Sequence, residues 1–238
     1  MNEPEKSIRI AMVIYPEFTL LDLVGPHAML NVPAETHIDL LWHRIEPVIA
    51  GGGLPMTPTA TFADYGTPDV LFVPGGPAPA ILGALGDDAL IDYVAAAGAK
   101  AGHVTSVCTG ALILGAAGLL KGKRAATHWM FMDQLPLFGA EPVSERVVED
   151  GNILTGGGVT AGIDFGLTLL ARLLGDDVAR RTQLLLEYDP APPFDAGSPD
   201  KAGPVATEQL RRFAAEGLSA CREAAMRIGR ERLGIGDS

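Results

Sequence analysis

Val104-Thr105-Ser106-Val107-Cys108-Thr109-Gly110-Ala111 is the stretch on which the fold turns. A run rich in β-branched residues feeds one cysteine, and small residues follow at once, opening the apolar run Leu112-Ile113-Leu114-Gly115-Ala116-Ala117. The order is strand, sharp turn, helix, with Cys108 at the turn. In such a nucleophile elbow the backbone is strained and the side chain projects above the sheet. Small residues two places before and after, here Ser106 and Gly110, let strand and helix approach without clashing. The helix amino terminus then stabilises a thiolate, and its free N–H groups can hold negative charge on a reacting substrate. Taken alone, such a segment is more often a buried, inert cysteine. The rest of the chain reverses those odds.

Outward from the elbow, strands and helical segments alternate. Residues 8–15 form a continuous apolar run suited to a strand covered on both faces. Residues 20–30 have helical spacing, 38–42 read as a second strand, and 69–73 as another, ended abruptly by Pro74-Gly75-Gly76-Pro77. An alanine-rich helix over 89–99 leads into the elbow strand. Short strands are expected over 124–127 and 147–155, the latter with a turn at Asp150-Gly151-Asn152. Ile163, Leu167, Leu170 and Leu174 make a helical stripe. This alternation implies an α/β three-layer sandwich, a mostly parallel sheet with helices on both faces. Residues 1–188 are expected to form that domain. Residues 189–238 supply a proline-rich arm and a final helix that packs on the same domain or on a dimer partner. Leu210, Phe213, Leu218, Cys221, Ala225 and Ile228 trace one face of that helix.

Composition narrows the class of function. A chain of 238 residues with 47% apolar composition can bury one sizeable core. A formal charge of −11 argues against nucleic acid as a partner, because phosphates would be repelled. Cys108 and Cys221 stand far apart, outside any Cys-x-x-Cys or Cys/His cluster, so neither a disulfide framework nor a metal site is suggested. Met1-Asn2-Glu3-Pro4-Glu5-Lys6 is charged and lacks the apolar core of a signal peptide. The most apolar stretch, 104–120, is broken by polar and glycine residues and falls short of the ~20 residues of a membrane span. A soluble protein of a reducing, cytoplasmic compartment is expected, with no membrane partner.

A catalytic cysteine needs a partner that handles protons. Asp22 is a lone acid between leucines in Leu20-Leu21-Asp22-Leu23-Val24-Gly25-Pro26. It reads either as a helix cap or as a carboxyl kept partly protonated by apolar walls and the neighbouring sulfur, able to give and take back a proton. His128, in Ala126-Thr127-His128-Trp129, sits at a strand end and reads as a base or as a structural hydrogen bonder. The N–H groups of Gly75 and Gly76 suit either a concave anion site beside the cysteine or a plain tight turn. Gly156-Gly157-Gly158-Val159-Thr160-Ala161 fits the loose dinucleotide pattern, but no strands follow to complete a binding half. Its glycines read as close packing at a helix start, and the role of Asp164 stays open.

Together with Gln183-Leu184-Leu185-Leu186-Glu187-Tyr188-Asp189-Pro190-Ala191-Pro192-Pro193-Phe194, these blocks run in order along nearly the whole chain. They resemble the ThiJ/PfpI superfamily, with its class-I glutamine-amidotransferase-like fold. An aspartate paired with Cys-Thr and the proline-rich arm look like the branch that hydrates isonitriles. The peptidase-like branch has histidine directly after the cysteine, where Thr109 stands here. The resemblance implies a homodimer that uses no cofactor and hydrates a small isonitrile to the N-substituted formamide. It implies Cys108 as nucleophile, Asp22 as proton donor, and Thr109 and Gly110 as N–H donors at the elbow. Gly75 and Gly76 would complete the polar wall, and His128 would have a secondary, positioning role. Two other readings stay open: a redox sensor or aldehyde-handling protein of the same superfamily, and the non-catalytic ligand-binding domain of a regulator. Regulatory members append a DNA-binding domain, whereas a single helix follows the arm here.

Overall fold

The computed structural model describes residues 7–236. The charged segment Met1-Asn2-Glu3-Pro4-Glu5-Lys6, read above as lacking a signal-peptide core, lies outside the described residues, as do the last two positions of the 189–238 segment. In chain order the first elements are β1 (Ile8–Val13), α1 (Leu20–Leu30), β2 (Thr36–Trp42), β3 (Val48–Ile49), β4 (Pro55–Met56), β5 (Ala60–Thr61) and β6 (Val70–Val73). Then come α2 (Ala78–Leu85), α3 (Asp88–Gly98), β7 (His103–Val107), α4 (Gly110–Ala116), β8 (Arg124–Ala125), a 3-10 segment (Trp129–Phe138) and β9 (Glu141–Pro142). The chain continues through β10 (Val147–Asp150), β11 (Ile153–Gly156), α5 (Ala161–Leu174), α6 (Asp176–Leu185), α7 (Pro199–Ala202) and α8 (Pro204–Glu231).

A seven-stranded sheet in the order β10-β11-β7-β6-β1-β2-β5 forms the centre. Every pairing in it is parallel except β10 with β11, which are joined by the tight turn at Asp150-Gly151-Asn152. The apolar runs account for this arrangement. From Ile10 to Ile14 every residue of β1 and its exit is fully buried, and so is β6 throughout. Strands covered on both faces have no polar side to turn to water, so they occupy the middle of a parallel sheet. The helices fall into two packed groups: α1 with α5 and α6, and α2, α3, α4 and α8 with the 3-10 segment. The fold is thus the α/β sandwich expected from the sequence.

Several elements differ in detail from expectation. The strand expected over 124–127 shortens to Arg124–Ala125, which pairs with β9 outside the main sheet. Ala126 and Thr127 leave that ladder because Ala126 N–H donates to Thr155 Oγ1 (2.8 Å) and the Thr127 hydroxyl donates to the Cys108 carbonyl (2.8 Å). The stripe assigned to the last helix is only half used. Cys221, Ala225 and Ile228 are buried against α2 and the 3-10 segment, but Leu210 and Phe213 are exposed, Phe213 at 92%. The periodicity is right, but in the amino half of α8 the apolar side chains of Val205, Leu210 and Phe213 stay exposed, while Arg211 lies over the Trp129 ring. α2 carries Pro77 and Pro79 around its first turn, where a missing N–H costs nothing, and this hid it from a reading that treats proline as a breaker. Among the described residues no helix is long and apolar enough to cross a membrane.

Candidate active site

Four neighbouring parallel strands, β11, β7, β6 and β1, end at the same edge of the sheet. The chain leaving each end supplies one wall of a common site, as expected at the carboxyl edge of an open α/β sheet. β7 delivers Cys108, β6 delivers Pro74-Gly75-Gly76, β11 delivers Gly157-Gly158-Val159, and β1 leads through Tyr15 to Asp22 on α1.

Cys108 occupies the turn between β7 and α4 with φ +53°, left-handed backbone that a residue with a Cβ adopts only under constraint. The constraint is visible on both sides of the peptide. Its N–H donates to the carbonyls of Gly157 (2.8 Å) and Gly156 (3.1 Å), and its carbonyl accepts from Thr127. Gly110 completes the turn: a Cβ there would lie 2.3 Å from the Val73 carbonyl oxygen, so no other residue fits without moving backbone.

Asp22 is fully buried, in the first turn of α1. The cap position of α1 is Thr19, and the Asp22 carboxyl turns away from its own helix to accept from Gly75 N–H at 3.0 Å. Its second oxygen, Oδ1, has no hydrogen-bond partner among the described residues, and the carboxyl interacts with the Cys108 thiol. Burial pushes this carboxyl up to about 7, against the opposing hydrogen bonds from Cys108 and Gly75. Burial, and then the Asp22 charge, push the Cys108 thiol far up as well; the N–H groups of Thr109 and Val159 pull the other way and lose. α4 is only seven residues long, and for both groups burial outweighs the hydrogen bonds that favour the charged form.

The N–H groups of Gly75 and Gly76, read above as part of the polar wall or as a tight turn, are both engaged within the protein. Gly75 N–H is bound to Asp22, and Gly76 N–H donates to Thr109 Oγ1 (2.8 Å). The Thr109 hydroxyl donates back to the Gly76 carbonyl (2.7 Å), so it clamps the Pro-Gly-Gly turn and is not directed at Asp22. A Cβ on Gly75 would lie 2.6 Å from Thr109 N and 2.7 Å from Asp22 Oδ2, which makes this contact one for glycine. Tyr15, buried beneath the same turn, donates its hydroxyl to the Pro74 carbonyl (2.9 Å). The clamp fixes the acid relative to the cysteine.

His128 stands apart from the pair. Its Nδ1 accepts from Met130 N–H (3.3 Å), its ring lies against Trp129 and Phe131, and burial lowers its proton affinity, leaving a neutral ring. It abuts Gly158, where a Cβ would come within 2.9 Å of Cδ2, and among the described residues it has no hydrogen bond to Cys108 or Asp22. Val159 and Thr127 are contacts that the sequence reading missed. Val159 lay in the glycine block read as packing. The available signal was that this block also follows a strand, one that neighbours the elbow strand.

These features define a member of a known class. A model of the DJ-1/PfpI family matches residues 8–172, and the chain belongs to that family. It is 48% identical over 212 residues to the isonitrile hydratase of Pseudomonas putida, covering 89% of this chain and 92% of that protein. The crystal structure of a ThiJ/PfpI family protein from Pseudomonas syringae superposes with a TM-score of 0.89 at 44% identity, over 92% of this chain and 90% of that one. Identity falls to 30% with the HTH-type transcriptional regulator CdhR of Pseudomonas aeruginosa, of which the match covers 51%.

Proposed function

We propose that the chain is an isonitrile hydratase, converting R–N≡C and water to the N-substituted formamide. The observation that carries this reading is the buried pair itself: a cysteine beside a carboxyl whose proton affinity lies near neutrality. Similarity to the Pseudomonas putida isonitrile hydratase over nearly all of both chains supports the same substrate class. An isonitrile carbon needs both a nucleophile and a proton, and the pair supplies both. Sγ of Cys108 bonds to the terminal carbon while the Asp22 carboxyl delivers a proton to that carbon and takes up the thiol proton. The product is a thioimidate, R–N=CH–S–Cys108. Water then adds to the thioimidate carbon, Asp22 taking a water proton and passing one to nitrogen. Collapse breaks the C–S bond, releases R–NH–CHO and returns the proton to sulfur.

Thr109 and Val159 contribute N–H groups to the sulfur as charge passes through it. Gly75, Gly76 and Gly110 hold the geometry, and His128 packs against the glycine turn. No step calls for a cofactor. We place the protein in the cytoplasm as a homodimer. Exposed Leu184 and Phe194, each at 81%, with Leu185 and Phe213, offer apolar surface for a second copy to cover. The test is product formation: purified protein with an alkyl isonitrile should release the formamide, followed by proton NMR, and Cys108→Ser should release none above buffer. Formamide formation by Cys108→Ser at the wild-type rate would reject the covalent route.

A further inference from the structure

Three residues outside that mechanism meet at the amino end of α5. Arg146, in the loop before β10, donates from Nε to Asp164 Oδ2 and from Nη2 to the Thr160 carbonyl at 3.1 Å. Tyr188, just past α6, donates its hydroxyl to Asp164 Oδ1 at 3.0 Å, so both oxygens of that carboxylate are engaged. The Arg146 carbonyl in turn accepts from Gly157 N–H at 2.9 Å. One residue therefore grips both ends of the turn at 157–160, its backbone holding the first residue and its side chain the last. That turn is the wall of the active site: the Gly157 carbonyl takes the Cys108 N–H, and the Val159 N–H reaches the Cys108 sulfur.

Tyr188 is itself placed with care. Glu187 before it has φ +51°, a left-handed conformation more natural to glycine, and this turns the chain back at the end of α6. Tyr188 N–H then donates to the Gln183 carbonyl (3.0 Å), and Gln183 Nε2 donates to the Tyr188 carbonyl (3.1 Å). An isolated surface ion pair would contribute little. This one is tied to a strained turn at one end and to the reacting sulfur at the other.

We propose that Arg146 is a positioning residue for the reaction. Braced by Asp164 and Tyr188, it holds the 157–160 turn so that the Val159 N–H stays directed at the Cys108 sulfur. The alignment then depends on the seating of Tyr188 at the root of the proline-rich arm. The reaction it serves rests on the hydratase reading; its effect on the sulfur does not.

The experiment compares wild type, Arg146→Gln and Tyr188→Phe in the full chain. It measures the rate of Cys108 alkylation by iodoacetamide at one neutral pH, located by peptide mass, together with kcat and KM for an alkyl isonitrile and the melting temperature. Loss of one charge-assisted support predicts that alkylation and kcat fall together, about five- to tenfold in Arg146→Gln and about two- to threefold in Tyr188→Phe. KM and melting temperature should stay near wild type. Unchanged alkylation in folded Arg146→Gln overturns the proposal, as does a loss of kcat that only follows a lost folded fraction. Should Arg146→Gln fail to fold, Tyr188→Phe decides by the same two rates. A wild type that makes no formamide would sink the hydratase reading, while the alkylation rates would still decide the role of Arg146.

Discussion

At Asp22, removal from water outweighs two hydrogen bonds, and the carboxyl moves from the ordinary 3.8 to about 7. The folded state therefore binds a proton that the unfolded chain releases. Stability contributed by that proton is fully present below about pH 4, declines as pH rises toward 7, and is absent above it. Asp22→Asn removes this dependence while keeping an oxygen for Gly75 N–H. The variant should gain on the order of 1–3 kcal/mol over wild type at alkaline pH, read from urea unfolding at two pH values. Its kcat should nevertheless fall at least about 100-fold, because no proton reaches the isonitrile carbon. A stability loss with activity intact would return Asp22 to a purely structural role. For wild type, kcat/KM should decline as pH rises through about 7, the value belonging to the Asp22–Cys108 pair as a unit. A profile rising through that range would mean that the ionised carboxylate is the working form.

At the scale of elements, two contacts carry the elbow. Gly110→Ala places a methyl against the Val73 carbonyl and should cost at least about 2–3 kcal/mol or prevent folding, measured by thermal unfolding. Thr127→Val removes the donor to the Cys108 carbonyl, should cost about 1–2 kcal/mol, and should lower kcat beyond what the stability loss explains. The elbow strand, its helix and the helix carrying Asp22 were legible because apolar runs, small residues and a lone acid stood in the right order. The commitments of Gly75 and Gly76 were not legible, because a sequence shows that an N–H exists but not where it points. Val159 was hidden for a related reason: a backbone donor leaves no trace in the side chain. The exposure of Leu210 and Phe213 on α8 was hidden because periodicity reports a face, not whether anything lies against it.

For the molecule as a whole, a charge of −11 keeps copies apart unless apolar surface brings them together. Leu184 and Leu185 at the end of α6, with Phe194 on the arm, are exposed and form the surface proposed for that contact. Replacing Leu184 and Leu185 by glutamate should convert a dimer to monomers in sedimentation equilibrium, and a wild type that already runs as a monomer would reject the homodimer. The proposed reaction turns on one bond, between Cys108 Sγ and the isonitrile carbon. Wild-type protein mixed rapidly with an excess of an alkyl isonitrile, quenched in acid and weighed intact, should show a transient species heavier by one substrate mass. Peptide mapping should place the added mass on Cys108, and the species should decay as formamide appears. Formamide released with no adduct at any quench time, and equally by Cys108→Ala, would contradict the account.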